Sequence, residues 1–473
     1  MVYKPWDRRD VIKSMGLLTL GAAVLGYKRI KGRFERDSTH FIQQGKKPEN
    51  PVTAIVVGAG SRGWGAYSSY ALKYPDEIQI VGVAEPIPYR RRRMAEAFNI
   101  PEENQFETWE QVFDRPKFAD VIFITTPDDL HYKPSMAGLE LGYDLLLEKP
   151  IAQSWEECKD ILELSEKKGA IVAVCHVLRY SPYYIKIKEI IDSGEIGDVV
   201  SMEHTELIEH IHMSHSYVRG LWNNSATSNP IILSKSCHDT DIIHWFAGKP
   251  CTRTSSFGSL TYFTLANAPE GSTERCTDGC PVESECPYSA LKIYKNRRSF
   301  LQHMPIEEFT DETIIQQLET GPFGRCVYRC DNNVPDHQVT NFEFEGGMTV
   351  SFTLEGKTWD TRRFTRIFGS KGDITGDERT LRITNYSKRE YYEWDTSQAF
   401  QFASGHGGGD HGLMHDFVRA VAFKKPELLA SAIQVSMASH LMAFMAEKSR
   451  LQGTVEIVGL LFFISHHNIN GVW

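Results

Sequence analysis

Apolar residues in the first third of the chain occur as short continuous runs, and the segments between them carry apolar residues at helical spacing. The runs cover residues 53–57, 78–84, 119–124, 143–147 and 170–175. A short uninterrupted apolar run is typical of a strand that is buried on both faces. Strands that alternate with helices form parallel βαβ units. The pattern therefore predicts an α/β domain with a parallel sheet over residues 51–175.

The pattern changes near residue 337, where apolar and polar residues begin to alternate with a period of two. Five segments show it, namely 337–345, 347–355, 362–369, 372–376 and 380–384. Such segments predict antiparallel hairpins whose sheet has one covered and one open face. Helical spacing in residues 183–193 and 428–449 adds helices. We therefore expect residues 176–452 to form an α+β domain with a large, open, mainly antiparallel sheet.

The length of the chain predicts two domains, and its composition is typical of a globular protein. The 473 residues exceed one hydrophobic core, and 41% of them are apolar while 24% are charged. A net charge of −9 leaves no broad basic surface, which argues against nucleic acid as the main ligand. Residues 453–473 form an atypical tail that continues none of these patterns.

Two arginines, Arg8 and Arg9, precede an apolar run over residues 15–26. The run is too short for a stable membrane span and suits the core of a signal peptide. Paired arginines in this position resemble a twin-arginine export signal, which carries folded proteins. Residues 1–30 are therefore expected to direct export to the periplasm, and residues 31–50 to form a linker. The alternative is a cytoplasmic protein with a short N-terminal helix.

The first apolar run leads directly into a glycine turn with Gly58, Gly60 and Gly63. A strand, this glycine spacing and a helix form the dinucleotide-binding fingerprint, in which the helix N-terminus holds the pyrophosphate. Glu85 stands 27 positions after Gly58, at the end of the second strand. Its carboxylate would accept hydrogen bonds from the adenosine ribose and favour NAD over NADP. The arginines at 90–93 leave NADP open, because one of them could accommodate a 2′-phosphate.

Two further motifs follow later strands of the same domain: Thr-Thr-Pro-Asp-Asp-Leu-His at 125–131 and Glu148-Lys149-Pro150. Together with the glycine turn they resemble the Gfo/Idh/MocA oxidoreductases, the family of glucose-fructose oxidoreductase and inositol dehydrogenase. The resemblance implies that Lys149 faces the substrate hydroxyl beside the nicotinamide, where a cation stabilises an alkoxide. It assigns cofactor binding to Gly58, Gly60, Ser61, Arg62, Gly63, Glu85, Thr126, Pro127, His131, Glu148 and Lys149.

The second domain contains His238 at the start of a predicted helix, with Asp241 one turn later. In the resembling family a histidine at this place is the acid–base group of the reaction, and His238 matches it. Many members carry an acid four positions earlier, whereas Ser234 stands there and Lys235 follows. This difference places the simple inositol-dehydrogenase proton relay in doubt.

A histidine-rich loop and a glycine-rich loop complete the predicted substrate site. The first loop, around His210, His212 and His215, is expected to contact a sugar, with zinc binding as the alternative. The second, at residues 406–412, lies near the substrate in the resembling family or is a hinge. The substrate residues are expected to be Arg179, His215, Tyr217, Arg219, Trp222, Lys235, Asp241 and Asp410.

Five of the nine cysteines fall in two turn-rich segments of the second domain. Cys276, Cys280 and Cys286 lie in the first, and Cys330, or Cys326, would complete a set of four thiolates. This concentration indicates a structural zinc site or disulfides.

The sequence therefore predicts an NAD(P)-dependent oxidoreductase that transfers a hydride between the nicotinamide and a sugar or cyclitol carbinol. The alternative is an NAD-dependent glycoside hydrolase that works by transient oxidation and elimination, with His215 or Tyr217 as its second base. A sensor that binds nucleotide and sugar without turnover is a third hypothesis, against which the pair Lys149 and His238 argues. A homo-oligomer is expected from the resemblance.

Overall fold

A computed structural model describes residues 27–29, 46–398 and 405–458. Of the expected export signal the structure describes only residues 27–29, and most of the linker and of the tail also lies outside these ranges. The strands are β1 Lys28–Arg29, β2 Val52–Val57, β3 Ile78–Ala84, β4 Gln105–Phe106, β5 Val121–Ile124, β6 Asp144–Leu147, β7 Val172–Val174, β8 Val199–Glu209, β9 Cys251–Ser259, β10 His337–Phe344, β11 Thr349–Thr358, β12 Arg362–Gly369, β13 Gly372–Gly376, β14 Thr380–Asn385, β15 Glu390–Asp395 and β16 Val455–Ile457.

The α-helices alternate with the strands in the first half and cluster near the end of the chain. They are α1 Ser69–Lys73, α2 Pro88–Phe98, α3 Glu110–Phe113, α4 Tyr132–Glu140, α5 Trp155–Lys168, α6 Pro182–Asp192, α7 His210–Met213, α8 Ile231–Ser234, α9 Cys237–Ala247, α10 Ala290–Asn296, α11 Asp311–Thr320, α12 Gly409–Phe423 and α13 Ile433–Gln452. None of the helices in the described ranges is long and apolar enough to cross a membrane.

The first sheet has six strands in the order β4-β3-β2-β5-β6-β7, and all of its pairs are parallel. Its central strands are buried on both faces, as the uninterrupted apolar runs predict. The strand order reverses direction at β2, so β2 and β5 end at the point where open parallel sheets bind ligands. The predicted parallel sheet with a dinucleotide-binding order is confirmed.

The second sheet has ten strands in the order β1-β15-β14-β13-β12-β8-β11-β10-β9-β16. Among these described strands only β1–β15 and β8–β11 pair in parallel, so the predicted large and mainly antiparallel sheet is confirmed. One face is covered by helices, while Phe257 and Val339 project from the other with 68% and 39% exposure. The alternating burial of β10 and β11 follows the period of two in the sequence.

Helix α12 returns from the second half of the chain to cover the first sheet. Leu413 and Phe417 belong to the same buried cluster as Val56 and Phe123 of the parallel sheet. The ring centroids of Phe123 and Phe417 lie 6.2 Å apart. The first sheet therefore obtains part of its apolar cover from residues near the end of the chain.

An insertion at residues 260–336, between β9 and β10, forms a small core of its own that includes Tyr294, Leu301 and Phe323. It contacts helix α2 of the first domain. The Arg90 guanidinium donates to the Gln302 carbonyl at 2.9 Å, and an ion pair of 2.5 Å joins Arg92 to Glu307. The insertion therefore borders the groove beside the glycine turn.

Candidate active site

The glycine turn at the end of β2 has no room for a side chain at Gly58 or at Gly63. Gly58 has a φ of +95°, and a Cβ at this residue would lie 2.6 Å from the Thr125 carbonyl oxygen. A Cβ at Gly63 would lie 2.1 Å from the Gly58 carbonyl oxygen. A Cβ at Gly60, in contrast, would have only one neighbouring atom among the described residues within 4 Å, and that atom would lie 4.0 Å away. The backbone over Gly60 and Ser61 is thus open to the pyrophosphate of a dinucleotide at the start of a π-helix, Ser61–Ser68, which continues into α1.

Alanine at position 63 should remove dinucleotide binding. The added Cβ meets backbone on the inner side of the turn, so the turn must open before the helix N-terminus can hold an anion. We expect the Kd for NAD⁺, measured by isothermal titration calorimetry, to rise by about 100-fold or more in Gly63→Ala. Gly65→Ala is the matched control, because no atom of the described residues lies within 4 Å of its Cβ. Equal binding by both variants would contradict the assignment.

Glu85 borders the same turn. Its carboxylate accepts hydrogen bonds from the backbone N–H of Ala59 at 2.8 Å and of Ile87 at 3.0 Å. A cavity of about 540 Å³ opens beside it, lined by Gly60, Ser61, Trp64, Tyr89, Arg90, Arg92, Arg93, Glu96, Arg298, Ser299, Gln302, Glu307 and Phe309. A buried carboxylate bonded to the glycine turn, whose Gly60 and Ser61 line this cavity, fits recognition of the adenosine ribose of NAD.

Arg62 does not point into that cavity. Its guanidinium pairs with Glu148 at 2.5 Å and with Asp410 at 2.9 Å, and Tyr67 donates to Glu148 at 2.5 Å. Burial favours the neutral form of Glu148, but the Arg62 charge holds its pKa below the usual value. Sequence reasoning placed Arg62 and Glu148 at the cofactor. The structure shows them joining the first domain to helix α12, which fixes the position of the neighbouring Lys149.

The segment after β5 is anchored in a similar way. The His131 ring lies 2.6 Å from the Pro150 carbonyl oxygen and 3.0 Å from that of Thr126. The Thr126 hydroxyl donates to the Leu130 carbonyl. Pro127 begins the turn at the end of β5. These residues thus shape the floor of the groove next to Lys149.

Lys149 and His238 come from different domains and meet at one cleft. The Lys149 ammonium donates to the Ser234 carbonyl oxygen at 2.9 Å, one turn before helix α9 and His238. The His238 side chain is buried, and its Nδ1 has no hydrogen-bond partner among the described residues. Burial, with the Lys149 charge as the next cause, holds the pKa of His238 well below its usual value. His238 is therefore a neutral imidazole, ready to accept a proton.

Two further imidazoles, His176 and His440, lie behind His238. The ring centroids are 6.1 Å apart for His176 and His238, and 5.3 Å apart for His176 and His440. The Ile151 backbone N–H donates to Nε2 of His440 at 3.0 Å, which requires a neutral ring. Burial lowers the pKa of His176 to about 4 and that of His440 to about 3. Neither residue was singled out from the sequence.

These buried rings predict acid-sensitive folding. Below a pH of about 6.5 the unfolded chain protonates both histidines, whereas the folded protein does not until about pH 4. The free energy of unfolding should therefore fall as the pH falls, by about 1.4 kcal/mol per unit for each ring. Urea unfolding at pH 7 and pH 5 measures this slope. His176→Asn should have a shallower slope, and an unchanged slope would contradict the explanation.

Three of the eight residues expected at the substrate, namely Arg179, Lys235 and Asp241, are held in ion pairs with other side chains of the protein. Arg179 forms two hydrogen bonds to Asp241, at 2.7 and 2.8 Å, and both side chains are buried. The Lys235 ammonium lies 2.8 Å from Glu206. The pair of Arg179 and Asp241 thus ties helix α9 to the segment that precedes α6, and Lys235 is tied to strand β8.

The segment predicted as a histidine-rich loop is helical, with α7 followed by a π-helix at Ser214–Arg219, and it packs inward. The His215 ring stacks between Phe300 and Phe323, with centroids at 4.2 and 4.8 Å, and lies within 2.8 Å of the Tyr294 hydroxyl. Arg219 donates to two backbone carbonyls of the insertion and is 1% exposed. The sequence spacing gave no sign of these partners, which come from the insertion.

Trp222 lies next to Tyr217 and contacts the segment that follows β5. The Trp222 indole donates to Asp128 at 3.0 Å, next to Pro127 at the end of β5. The Tyr217 ring lies 6.0 Å from that of Trp222 and is buried. The hydrogen bond between Trp222 and Asp128 joins the two domains at the side of the groove.

The glycine-rich loop brings a residue that the sequence analysis missed. Nδ1 of His406 lies 3.2 Å from the Asp410 carboxylate, and the His406 ring lies 5.5 Å from that of His238. His406 has a φ of +52°, which costs a residue with a side chain about 1 kcal/mol or more. The only available signal was the run of glycines that follows it, which permits such a turn.

The zinc prediction is not supported. No group of three or more His, Cys, Asp or Glu side chains in the described part of the chain is arranged to hold a metal ion. The Arg219 guanidinium approaches the Cys276 sulfur at 3.7 Å, which puts a cation where a metal would be needed. The Cys330 thiol is directed at the Cys326 carbonyl oxygen, and Cys280 and Cys286 remain free thiols. No disulfide joins any of the nine cysteines, all of which lie within the described ranges.

Comparison with known proteins places these features in one family. The Gfo/Idh/MocA oxidoreductase model for the NAD-binding Rossmann fold matches residues 52–176, and the model for the C-terminal alpha/beta domain of the same family matches residues 188–457. YteT of Bacillus subtilis, whose name gives an oxidoreductase and no substrate, is 24% identical over 402 residues, or 80% of this chain and 91% of that protein.

Two more comparisons carry substrate names. The scyllo-inositol 2-dehydrogenase (NAD⁺) of Bacillus subtilis is 26% identical over 220 residues, which are 45% of this chain and 58% of that protein. The structure of levoglucosan dehydrogenase with NADH and levoglucosan superposes with a TM-score of 0.63 at 18% identity, covering 87% of this chain and all of that one. With both domain models matched over most of its length, the chain belongs to the Gfo/Idh/MocA family of oxidoreductases.

Proposed function

We propose that the protein oxidises one secondary alcohol of a sugar or cyclitol with NAD⁺. The observation that carries the proposal is the meeting of Lys149 and His238 in one cleft, next to an open glycine turn. Relatives named as inositol dehydrogenases and a structure named as levoglucosan dehydrogenase support this substrate class.

The side chains have distinct tasks in this reaction. The neutral imidazole of His238 takes the proton of the substrate hydroxyl. The Lys149 ammonium, fixed by the Ser234 carbonyl, stabilises the oxygen as negative charge develops on it. The nicotinamide supplies the hydride acceptor. Trp222 and Asp128 close the side of the groove, which limits the entry of water.

A substrate panel tests the proposal. The purified protein is mixed with NAD⁺ and with inositols, 1,6-anhydro sugars, free hexoses and aryl glycosides, while absorbance at the NADH band is followed and products are identified by NMR. We expect NADH and a keto product from at least one polyol. Tight NAD⁺ binding with no reduction by any polyol would contradict the proposal and favour a sensor.

We also propose NAD rather than NADP as the cofactor. Glu85 places a carboxylate beside the glycine turn, and the nearby arginines are already engaged: Arg93 stacks on Trp64 with its Cζ 4.4 Å from the ring centroid, and Arg90 bonds to the insertion. Removal of the carboxylate should let these cations attract a 2′-phosphate. We expect Glu85→Ser to tighten NADP⁺ binding by about tenfold, or ~1.4 kcal/mol, in calorimetric titrations.

The matched control for this change is Glu96→Ser. Glu96 is an exposed carboxylate that lines the same cavity on helix α2, away from the glycine turn. An equal gain in NADP⁺ affinity from Glu96→Ser would mean that net charge, and not the position of Glu85, selects the cofactor.

A further inference from the structure

The cavity of about 540 Å³ beside the glycine turn has walls from both domains. Gly60 and Ser61 line it from the first domain, and residues from the segment 298–309 of the insertion line it from the second. Four arginines and two glutamates are among the lining residues, so positive charge prevails in the cavity. A cavity that combines a helix N-terminus with an excess of cations suits a phosphate group.

The insertion segment is held against helix α2 of the first domain. The Arg90 guanidinium donates to the Gln302 carbonyl oxygen at 2.9 Å, and the Tyr89 hydroxyl donates to the Met304 carbonyl oxygen at 3.3 Å. Both acceptors are backbone groups, so these contacts fix the course of the chain rather than one side chain. The segment therefore forms a continuous wall with α2.

The segment is also anchored to its own domain, on both sides of Arg298. The Arg297 guanidinium pairs with Glu209 at the end of β8, at 2.6 Å. The Phe300 ring stacks on His215, with ring centroids 4.2 Å apart. Because the anchors stand one position before and two positions after Arg298, the backbone of Arg298 has a defined place in the cavity wall.

Arg298 differs from the other three arginines of the cavity, which already bind carbonyl groups, a carboxylate or an aromatic ring. Its guanidinium donates to the Phe309 carbonyl oxygen at 2.8 Å. The Asp311 carboxylate lies 3.9 Å away, which is beyond hydrogen-bond distance. The side chain is 59% exposed, and no other hydrogen bond from its guanidinium forms within the described residues. Arg298 is therefore a cation with donors left for a ligand.

We propose that the insertion completes the dinucleotide site and that Arg298 binds the pyrophosphate from the second domain. The planar guanidinium presents paired donors that match the oxygens of a phosphate group. The helix that begins at Ser61 holds the same group from the first domain. The nucleotide thereby links the insertion to the glycine turn. The inference requires that the chain binds a dinucleotide, and not that it oxidises a polyol.

Calorimetric titrations of Arg298→Gln with NAD⁺ and with ADP-ribose test this contact. We expect the Kd for both to rise by about tenfold, because a charge-assisted hydrogen bond to a phosphate is lost. The difference from the wild type should shrink to less than about threefold when NaCl is raised from about 0.05 M to about 0.5 M, since salt screens an exposed charge. Lys295→Gln is the matched control, because Lys295 is a cation of the same insertion that pairs with Asp311 at 2.9 Å and lies outside the cavity lining.

Four outcomes would overturn the proposal. One is an unchanged Kd for NAD⁺ in Arg298→Gln, and another is an equal rise in Lys295→Gln, which would assign the effect to the net charge of the insertion. A rise that does not depend on salt would give Arg298 a packing role. A loss of affinity for NADP⁺ without a loss for NAD⁺ would place Arg298 at a 2′-phosphate instead of the pyrophosphate.

Hydrogen–deuterium exchange of the unmodified protein tests the same contact without a variant. We expect NAD⁺ to slow amide exchange in peptides that cover residues 298–304 as well as in those that cover the glycine turn. Peptides over helix α11, which belongs to the insertion but lies outside the cavity lining, should exchange as before. Protection of the glycine turn alone would overturn the role of the insertion. Protection of both segments in a protein that oxidises no polyol would refute only the proposed oxidation.

Discussion

Lys149→Ala is expected to lower kcat/KM for polyol oxidation by about 1,000-fold, since it removes the cation that stabilises the developing alkoxide. The ammonium stabilises the alkoxide only if it lies next to the oxygen on which negative charge develops, and the Ser234 carbonyl holds it in the cleft. NAD⁺ affinity should change by less than about threefold, because the glycine turn and Glu85 hold the cofactor. Steady-state kinetics and calorimetric titration with NAD⁺ measure the two quantities.

The control is Lys133→Ala, which removes a lysine from helix α4 of the same domain, away from the cleft. It should leave both quantities unchanged. A fall in NAD⁺ affinity in Lys149→Ala that matches the fall in kcat/KM would show that Lys149 binds the cofactor rather than stabilising the transition state.

His238→Asn is expected to lower kcat/KM by about 1,000-fold as well, through loss of the general base. The pH dependence gives a separate test of its role. A base is active when it is neutral, and burial beside Lys149 holds the pKa of His238 well below its usual value. The wild-type rate of oxidation should therefore stay level as the pH falls from 7.5 to about 6, where a histidine of ordinary pKa would lose more than half of its neutral form.

In the variant this plateau should disappear, and the residual rate should rise with pH as hydroxide replaces the imidazole. Pre-steady-state NADH formation across this pH range measures the effect. A wild-type profile that falls through about pH 6.5 would show that His238 is solvated when substrate is bound, and a variant profile identical to that of the wild type would exclude His238 as the base.

The fold could be predicted from the sequence because the residue pattern of each strand reflects its environment. The residues of β2 and β5 are almost all apolar and are buried on both faces, while β10 and β11 alternate and have one open face. This contrast separates strands buried on both faces from strands with one open face, and the glycine turn marks the end of β2. The full number of strands in the second sheet could not be predicted, because β15 and β16 lack a clear apolar pattern.

The site was less accessible to sequence reasoning. The roles of Lys149 and His238 were inferred from short motifs. The position of His406, in contrast, depends on Asp410, which contacts Arg62 at a separation of 348 positions along the chain. His215 and Arg219 were expected at the substrate because sugars bind to aromatic faces and to convergent hydrogen-bond donors. The partners that draw them into the insertion, such as Tyr294 and the Arg325 carbonyl, follow them by 79 and 106 positions. Partners so far away along the chain cannot be identified from the sequence around His215 and Arg219, because the contacts form only in the folded protein.

The position of helix α12 in the chain affects when the first domain can complete its fold during synthesis. The parallel sheet of residues 51–175 leaves the ribosome first, but Leu413 and Phe417, which cover one of its faces, follow more than 200 residues later. Until they emerge, the nascent nucleotide domain exposes an apolar face around Phe123 and leaves Glu77 without its Arg419 partner. The nucleotide half is therefore not an independent module, and a fragment intended to isolate it must include α12.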